Sequence, residues 1–404
     1  MRALFCNELG EGRGHLSPYV SLLEALGARG WEVGAAVRAT GEAVGLFAGG
    51  PVALMQAPVC VARFDGLPRE QIDFNEILLG SGYGHEDTFR GMYAAWKALL
   101  RLHAPDLVIA SFAPTAALAA RALGIPAVRI GTGWDCPPAV DPQPLFRAWE
   151  AGIERRREAS ARAVLATVNA ALRAEGDTPV GSLSELHGAP TLLCTYEELD
   201  PFRDVRGGGD YLGVLPAPAN ARQGGEAPDC DIFVYGRVTP VTDLLVDALR
   251  KLPAKSAAWF ADMSEAERAV RTGGNLRMLS SPANVAVLLP RVRVVVGYAG
   301  HGLTAEALRA GVPMLLTPVH QEQYVTAKRV AEAGAGLLVD PWDAKPKFAR
   351  ALERLLDEPA FAERARAFGA RLAARSPEAG LERAVERCAS LARVAAPRLR
   401  SVVG

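Results

Sequence analysis

A β-branched run that leads into a glycine-rich turn constrains the fold of this chain more than any other feature. Residues 292–296 (VRVVV) have the composition of a buried parallel strand, and the turn after them is rich in glycine. A helix is predicted over residues 304–309, and residues 312–316 predict the next strand. This succession is typical of an open α/β sheet, in which ligands bind beyond the carboxyl ends of the strands.

The segment around this turn has the composition of an anion site. Gly300 and Gly302 allow the backbone to approach a bound group, and the helix that follows directs free N–H groups toward it. An acid, Glu306, and a polar pair, Glu322 and Gln323, belong to the same predicted crevice. We therefore expect a phosphate that is carried on a hydroxyl-rich molecule.

The same segment resembles the nucleotide-sugar motif of the family 1 and family 28 glycosyltransferases. That motif combines a glycine-rich turn, Thr-x-Glu-Ala-Leu, Gly-Val-Pro, a strand, a proline, an acid–glutamine pair and Asn-Ala. Its elements stand here at residues 300–308, 311–313, 318, 322–323 and 326–327. The resemblance implies the GT-B fold, an α/β architecture in which two Rossmann-like, doubly wound domains face a central cleft.

Alternating strand and helix patterns divide the chain into two halves. Residues 3–6, 32–37 and 107–111 predict strands of the first half, and helical signal dominates residues 144–174. Residues 200–229 are rich in glycine and proline and lack periodicity, so they predict a linker.

The resemblance gives these halves their expected roles. We expect an N-terminal acceptor-binding domain over residues 1–215 and a C-terminal nucleotide-sugar-binding domain over residues 216–378. The last helix, within residues 379–404, is expected to pack back on the first domain, as it does in the GT-B fold.

The loop between the first strand and the first helix contains a candidate general base. Gly12 and Gly14 permit a tight turn over a ligand, and His15 falls at the start of the helix. The loop resembles the Gly-His-x-x-Pro signature of the family, in which the matching histidine takes a proton from the acceptor hydroxyl. The alternative is that His15 caps the helix or bonds the loop. A dinucleotide-binding loop fits less well, because the third glycine comes one residue early for G-x-G-x-x-G.

Two departures from the family pattern concern charged partners. Family 1 enzymes often orient the base histidine with an aspartate at the end of the fourth strand, where this chain has Ala110 or Ser111. They also often place a histidine where Tyr298 stands. Arg237, in the turn after a strand over residues 231–235, is a candidate phosphate ligand, with a surface salt bridge as the alternative.

The stretch of residues 57–88 is the candidate source of acceptor contacts. It carries acids that could assist His15, namely Asp65, Glu86 and Asp87. It also carries or adjoins four aromatic residues that line an acceptor pocket or, alternatively, pack in the core: Phe64, Phe74, Tyr83 and Phe89.

The resemblance implies a donor that is a UDP or dTDP sugar held by the C-terminal domain. The diphosphate ligands would be Arg237, Thr239, Gly300, His301, Gly302 and Thr304. Glu306 would bind the ribose, and Glu322 and Gln323 would bind the sugar. The reaction would be an inverting displacement with His15 as base, without a metal ion, and with no cofactor besides the nucleotide sugar.

Two alternatives remain open at this point. A nucleotide-sugar 2-epimerase shares the fold and the donor site but needs no acceptor pocket. A catalytically silent nucleotide-sugar-binding protein is favoured by Tyr298 and by the absent aspartate. Substitution of His15 separates an enzyme from a silent protein, since only an enzyme has turnover to lose.

Charge and composition restrict partners and compartment. Lysine plus arginine and aspartate plus glutamate each number 45, so the formal net charge of zero argues against nucleic acid as the main partner. Six cysteines without a CxxC pair suit a reduced cytoplasm and form neither a zinc site nor a disulfide framework. No apolar run is long enough to span a membrane, although the basic tail 393–400 permits peripheral contact. The alanine- and arginine-rich composition suggests a bacterial source. We expect the acceptor to be a small molecule, a lipid or a peptide.

Overall fold

The computed structural model describes residues 1–48, 50, 52–62, 70–217, 227–343 and 346–399. The chain divides into two compact units, the first made of residues 1–217 and 377–404 and the second of residues 218–376. The candidate residues Phe64 and Asp65 lie outside the described residues.

The first unit is built on a parallel sheet with seven strands among its described residues. In chain order these are β1 (Arg2–Asn7), β2 (Glu32–Val37), β3 (Val52–Gln56), β4 (Leu107–Ala110), β5 (Ala127–Gly131), β6 (Thr191–Leu193) and β7 (Asp210–Tyr211). Their spatial order is β3-β2-β1-β4-β5-β6-β7, and each neighbouring pair is parallel. The order reverses between β1 and β4, which is the topological switch point of a doubly wound sheet.

Helices cover both faces of this sheet. In chain order they are α1 (Val20–Ala28), α2 (Thr40–Phe47), α3 (Phe74–Leu78), α4 (Glu86–His103), α5 (Pro114–Ala122), α6 (Glu154–Ala174), α7 (Leu183–Leu186) and α8 (Arg203–Arg206). Shorter 3-10 or π turns occupy Arg13–His15, Ser17–Tyr19, Leu79–Tyr83 and Glu197–Leu199. Tyr93 and Trp96, one turn apart on α4, are fully buried, as the apolar stripe of an amphipathic helix requires.

The second unit repeats the doubly wound plan. Its strands are β8 (Ile232–Gly236), β9 (Ser256–Phe260), β10 (Leu276–Met278), β11 (Val294–Gly297), β12 (Met314–Leu316) and β13 (Gly336–Leu338). They form a parallel sheet in the order β10-β9-β8-β11-β12-β13, so the switch point lies between β8 and β11. Its helices are α9 (Thr242–Lys251), α10 (Glu265–Arg271), α11 (Val285–Leu288), α12 (His301–Arg309), α13 (Gln321–Glu332), α14 (Phe348–Asp357) and α15 (Pro359–Ala373), with a 3-10 turn at Leu289–Arg291.

The final helix, α16 (Pro377–Leu399), belongs to the first unit. Its residues Ala384 and Cys388 are fully buried in the same core as Leu22 and Leu26 of α1. A Cβ on Gly380 would lie 2.2 Å from the carbonyl oxygen of Leu212, so this glycine permits close contact between the helix and the chain after β7.

Two sequence-based predictions about the first unit are wrong. The predicted helix over residues 144–174 begins only at Glu154, because Gly152 adopts a positive φ of 82° that ends any helix before it. The predicted linker over residues 200–229 begins too early, because residues 200–217 belong to the first unit. Asp200 is fully buried there, and β7 extends the sheet.

One element start in the second unit also differs from the prediction. Helix α12 begins at His301 rather than at residue 304, and Gly300 is its extended N-cap residue. Helix α13 begins at Gln321, so Glu322 and Gln323 lie in its first turn. Both helix starts therefore carry predicted ligands.

Candidate functional site

The loop that carries His15 is fixed to the switch point of the first sheet. The side-chain amide of Asn7, at the end of β1, donates to the carbonyl oxygen of Ser111 at 3.2 Å. The backbone N–H of Leu9 donates to the carbonyl oxygen of Phe112 at 3.1 Å. His15 is half-buried, and its ring centroid lies 5.8 Å from that of Phe112. The candidate base therefore stands at the carboxyl edge of the sheet, as predicted for a ligand-facing residue.

The glycines of this loop have different roles. A Cβ on Gly10 would lie 2.8 Å from the Cβ and Cγ of His15, so a larger residue there would displace the histidine. Gly12 adopts a φ of 85°, which favours glycine. Gly14 is surrounded by open space, since a methyl group added there would have no neighbouring atom within 4 Å. Gly10, to which no separate role was predicted, is thus the glycine in contact with His15.

An acidic partner for His15 comes from an unexpected strand. Asp135, in the loop after β5, is buried, and its Oδ1 accepts the backbone N–H of Thr132 at 2.7 Å. Burial raises the pKa of the Asp135 carboxyl, and the nearby positive charge of His15 opposes that rise. Ser111 stands at the position where the family places its aspartate. The buried acid whose charge acts on His15 therefore lies in the loop after β5 rather than at the end of β4.

The other acids proposed for this role are placed elsewhere. Glu86 and Asp87 are exposed in the first turn of α4. Asp135 was missed because it lies 120 positions from His15 and matches no family motif. The strand pattern of residues 125–130, which ends shortly before Asp135, was the available signal, since carboxyl ends of parallel strands share one edge.

A buried arginine holds the loop that carries Asp135. Arg129, on β5, donates through Nη2 to the carbonyl oxygen of Pro137 at 2.7 Å and through Nη1 to that of His187 at 2.7 Å. Burial lowers the pKa of Arg129. Among the described residues no carboxylate lies within ion-pair distance of its guanidinium, so backbone carbonyls are its close partners.

A second buried network holds the same loop from the other side. The Asp200 carboxylate accepts from Nε of Arg206 at 2.5 Å and from the hydroxyl of Tyr211 at 2.8 Å. Arg206 in turn donates through Nη1 to the carbonyl oxygen of Cys136 at 3.0 Å. Arg206 also donates through Nη2 to the carbonyl oxygen of Gly133 at 3.4 Å, so the two buried arginines fix the backbone on both sides of Asp135, which limits its movement relative to the sheet.

A pocket lies beside Asp135. It has about 290 Å³ of empty space, counting the part open to solvent. Its walls combine apolar side chains with a few polar groups: Phe74, Ala110, Phe112, Ala113, Pro114, Ala117, Leu186, Arg129, Asp135, Cys136 and His187. Of the aromatic residues predicted for acceptor binding, Phe74 lines this pocket, whereas Tyr83 and Phe89 are fully buried in the core.

Glu8 is a buried acid that follows β1 directly. Its Oε1 accepts the backbone N–H of Thr115 at 2.7 Å, at the start of α5. Burial raises the pKa of Glu8 to about 7, against the hydrogen bond from Thr115, which lowers it. The residue ties the His15 loop to α5 and titrates near neutral pH.

The glycine-rich turn of the second unit has the form expected for an anion site. Ala299 is buried and adopts a φ of 62°, which places Gly300 at the N-cap of α12. The free N–H groups of the helix begin at His301 and Gly302. Burial lowers the pKa of His301 to about 4, so its imidazole is neutral at pH 7.

A second pocket lies at the carboxyl ends of β8, β11 and β12. It has about 420 Å³ of empty space by the same measure, and Arg237, Thr239 and Tyr298 belong to its walls. Arg237 is exposed, and its charge opposes the rise that burial causes in the pKa of Tyr298. The backbone N–H and the hydroxyl of Thr239 contact the hydroxyl of Thr242 at 2.7 and 3.2 Å. Arg237 and Thr239 thus meet at one pocket.

Of the remaining predicted ligands, Glu306 and Gln323 already make structural contacts. Thr304 is fully buried, and its hydroxyl does not reach the surface. Glu306 forms an ion pair with Arg309 at 2.8 Å. The side-chain oxygen of Gln323 accepts the backbone N–H groups of Val319 at 2.9 Å and His320 at 3.3 Å, which caps α13. Glu322 lies beside it in the first turn. Contacts of these four residues with a donor stay predictions.

Two further observations concern metals and membranes. Within the described ranges, no cluster of three or more histidine, cysteine or acidic side chains is arranged to hold a metal ion. No helix in the part of the chain that the structure describes has the length and apolar character needed to cross a membrane.

Comparison with known proteins supports the architecture and the activity. Residues 257–386 match the model of the family described as Erythromycin biosynthesis protein CIII-like, C-terminal domain. The elloramycin glycosyltransferase ElmGT of Streptomyces olivaceus is 31% identical over 379 residues, which cover 87% of this chain and 89% of that protein.

Solved structures show the same fold at lower sequence identity. The glycosyltransferase of kitacinnamycin is 20% identical, with a TM-score of 0.72 over 96% of this chain and 98% of that one. The glycosyltransferase VinC in complex with dTDP is 22% identical, with a TM-score of 0.65 over 98% of this chain and 100% of that one.

Two doubly wound parallel sheets, each with a pocket at its carboxyl edge, define a glycosyltransferase of the GT-B class. The chain belongs to the family of glycosyltransferases that includes the elloramycin enzyme. The epimerase and the silent binding protein therefore gain no support from these relatives.

Proposed function

We propose that this glycosyltransferase takes its sugar from a dTDP or UDP sugar and transfers it to an acceptor hydroxyl with inversion, without a metal ion. The observation that carries the proposal is the interaction of half-buried His15 with buried Asp135 beside a pocket in the first unit. A histidine that lies at the edge of a sheet near the charge of a buried acid is suited to general-base catalysis.

The donor site is proposed in the second unit. The N–H groups at the start of α12, from Gly300 through Gly302, bind the diphosphate, and Arg237 and Thr239 contribute from the neighbouring pocket. With His301 neutral at pH 7, Arg237 is the positively charged group of this set. The dTDP complex of VinC supports a thymidine nucleotide among the candidate donors.

The proposed chemistry is one displacement at the anomeric carbon. His15 accepts the proton of the acceptor hydroxyl while the acceptor oxygen forms its bond to that carbon. The bond from the carbon to the diphosphate oxygen breaks, and its electron pair leaves with the diphosphate. In-line attack inverts the configuration. The negative charge of Asp135 stabilises the imidazolium that forms, and the helix N-terminus stabilises the departing diphosphate.

The same proposal includes metal independence, a cytoplasmic location and a bacterial source. The helix N-terminus and Arg237 supply the charge stabilisation that a metal ion gives in other transferases. The six cysteines are all unpaired, which supports the reduced cytoplasm. The elloramycin enzyme comes from Streptomyces, which supports a bacterial source.

Thermal unfolding with nucleotides tests the donor site. A ligand at about 100 times its dissociation constant adds roughly 2.7 kcal/mol to the free energy of unfolding. We expect dTDP or UDP to raise the midpoint of unfolding equally with and without EDTA. A shift that EDTA abolishes would contradict metal independence, and no shift with either nucleotide would contradict the donor site.

Replacement of the base tests the catalytic step. We expect His15→Ala to lose turnover by about 10²- to 10⁴-fold while it keeps the nucleotide-induced shift, because His15 belongs to the other unit. Turnover that survives the substitution would assign the base elsewhere.

A further inference from the structure

Phe112 has a backbone conformation that a bulky side chain rarely adopts. Its φ is 49°, in the left-handed region, and among the described residues Ala104 and Ala299 are the other two that have a positive φ without being glycine. Ala104 is the C-cap of α4, where helices often adopt this conformation. Strained backbone at a large residue concentrates at functional sites, so the position of Phe112 indicates a function for its side chain.

The two units have this strain at equivalent places. Phe112 is the second residue after β4, and Ala299 is the second residue after β11. Each of these strands borders the switch point of its own sheet. In the second unit the turn is completed with a single methyl group, so the turn itself requires no large side chain. The contacts of the Phe112 ring are therefore the reason for phenylalanine.

Hydrogen bonds from the segment after β1 hold the strained turn in place. Asn7 and Leu9 donate to the carbonyl oxygens of Ser111 and Phe112, at 3.2 and 3.1 Å. A strained conformation persists where its surroundings fix it from several sides. The same segment leads directly into the loop of His15, so the turn and the loop of the proposed base are tied to each other.

The ring of Phe112 contacts the proposed base. Its centroid lies 5.8 Å from that of His15, with an angle of 36° between the two planes. The His15 ring forms no hydrogen bond to another described residue, so packing and the charge of Asp135 are what act on it. Rotation of a histidine ring about its Cβ–Cγ bond is not confined to narrow wells. The flat face of Phe112 therefore restricts the plane of the imidazole.

Phe74 is the second aromatic contact of Phe112. The two ring centroids lie 5.7 Å apart, with an angle of 43° between the planes. Phe74 is the first residue of α3, and Asp73 caps that helix by accepting the backbone N–H of Glu76 at 2.9 Å and the hydroxyl of Ser160 at 3.0 Å. The Phe112 ring, 8% exposed, is thus packed against a capped helix and has little room to turn.

We propose that Phe112 is a positioning residue for the reaction, because its ring fixes the plane of the His15 imidazole and directs one nitrogen toward the acceptor hydroxyl. The strained turn brings that ring to the histidine. The inference rests on the proposed function, since it concerns the orientation of the same base. Phe112 takes no part in the bond-forming step. Orientation matters because a misplacement of about 1 Å can cost about 100-fold in rate.

The mobility of the His15 ring tests the inference without a donor or an acceptor. The full chain would be prepared with histidine labelled with carbon-13 at Cε1, and the resonance of His15 is identified by its loss in His15→Ala. Relaxation of this carbon gives an order parameter for the ring. We expect about 0.8 in the unaltered protein, typical of a rigid group, and below about 0.6 in Phe112→Leu, typical of a flexible one.

Three substitutions at position 112 separate the ring from the backbone. Phe112→Leu keeps a large apolar side chain and the strained backbone but removes the ring. Phe112→Gly also removes the ring and suits the positive φ. Phe112→Tyr keeps the ring. We expect the first two variants to free the His15 ring and the third to keep it ordered.

Two further variants are matched controls. Phe89→Leu removes a fully buried ring from α4 in the same unit, whose ring contacts are with Tyr83 and Tyr93. Ala104→Gly relieves a positive φ at the end of the same helix. Neither should change the order parameter of the His15 ring. Thermal unfolding of each variant shows whether it is folded, and the resonance of His301 in the second unit is an internal reference.

Each outcome decides the inference. An ordered His15 ring in Phe112→Leu or Phe112→Gly overturns it. A mobile ring in Phe112→Tyr also overturns it, because packing volume would then matter rather than the aromatic face. A mobile ring in Phe89→Leu would assign the effect to the general stability of the unit. Turnover that survives in His15→Ala contradicts the proposed function, whereas the order parameters would still show whether Phe112 fixes His15.

Discussion

His15 and Asp135 follow different strands of the first sheet, yet their side chains interact electrostatically at its carboxyl edge. His15 follows β1 and Asp135 follows β5, with β4 between them in the sheet. The pairing therefore depends on the parallel topology and on the two arginine networks that hold the Asp135 loop.

Removal of the negative charge at position 135 should slow catalysis. We expect Asp135→Asn to lower kcat by about 100-fold, because the imidazolium of His15 loses its stabilising charge. The KM for the donor should change little, since the donor site lies in the second unit. Steady-state kinetics at saturating acceptor measure kcat and the KM for the donor. Asp87→Asn is the control, and a larger loss there would transfer the role to that exposed acid.

A methyl group on Gly10 should displace His15 without loss of the fold. The added Cβ would lie 2.8 Å from the Cβ and Cγ of His15, and the Cβ cannot move without the histidine backbone. A misplacement of about 1 Å can cost about 100-fold in rate, so we expect kcat to fall by roughly 10- to 100-fold with nucleotide binding unchanged. Gly91→Ala, in open space on α4, serves as the matched control. Unchanged kcat in Gly10→Ala would exclude His15 as the base.

Glu8 should make the first unit less stable as the pH rises. Because the pKa of Glu8 is raised to about 7 in the folded protein, the stabilising effect of its protonated form is complete below about pH 4.5 and is lost as the pH passes 7. Glu8→Gln should remove this dependence and raise the free energy of unfolding at pH 8 by up to about 3 kcal/mol. Denaturant unfolding at pH 5 and pH 8 measures the change.

The control for this measurement is Glu24→Gln, which alters an exposed acid of α1. It should leave the difference between the two pH values as in the unaltered protein. An equal response of both variants would mean that Glu8 ionises as an ordinary surface acid.

Arg237 should contribute to binding of the diphosphate rather than of the nucleoside. We expect Arg237→Gln to weaken dTDP binding by about tenfold, as the loss of one charged hydrogen bond implies, and to leave thymidine binding unchanged. Titration with thymidine, dTMP and dTDP separates the contributions. Arg291→Gln is the control, since Arg291 is exposed and precedes β11, at the opposite edge of the sheet. Equal weakening of thymidine binding would place Arg237 at the nucleobase instead.

Gln323 allows a capping role to be separated from a sugar contact. Gln323→Glu keeps the oxygen that caps α13 but loses the amide donor, so we expect unchanged thermal stability and a roughly tenfold loss of kcat/KM for the donor. Gln323→Ala should lower both the thermal stability and the kcat/KM for the donor. Full activity in the Gln323→Glu variant would reduce the residue to a helix cap.

The sequence predicts the fold well where one local pattern determines it. The apolar run before residue 297 and the glycines after it predict the strand, turn and helix that form there, and the glycines after β1 predict the corresponding loop of the first unit. Local patterns fail where the determinant is distant. Residues 200–211 have the composition of a linker, and only the buried Asp200–Arg206 ion pair and β7 make them part of the domain. Asp135 carries no local sign of its partner, and Thr304 fits a motif although its side chain is buried.

Helix α16 has a consequence for how the chain is made. The core of the first unit includes Ala384, Cys388 and Ala392, which follow the entire second unit in the sequence. A ribosome adds about 5–20 residues per second, so the start of the chain waits on the order of ten seconds for this helix. The second unit draws its core from one continuous stretch and can complete it sooner. The first unit to be synthesised is thus the last to finish folding.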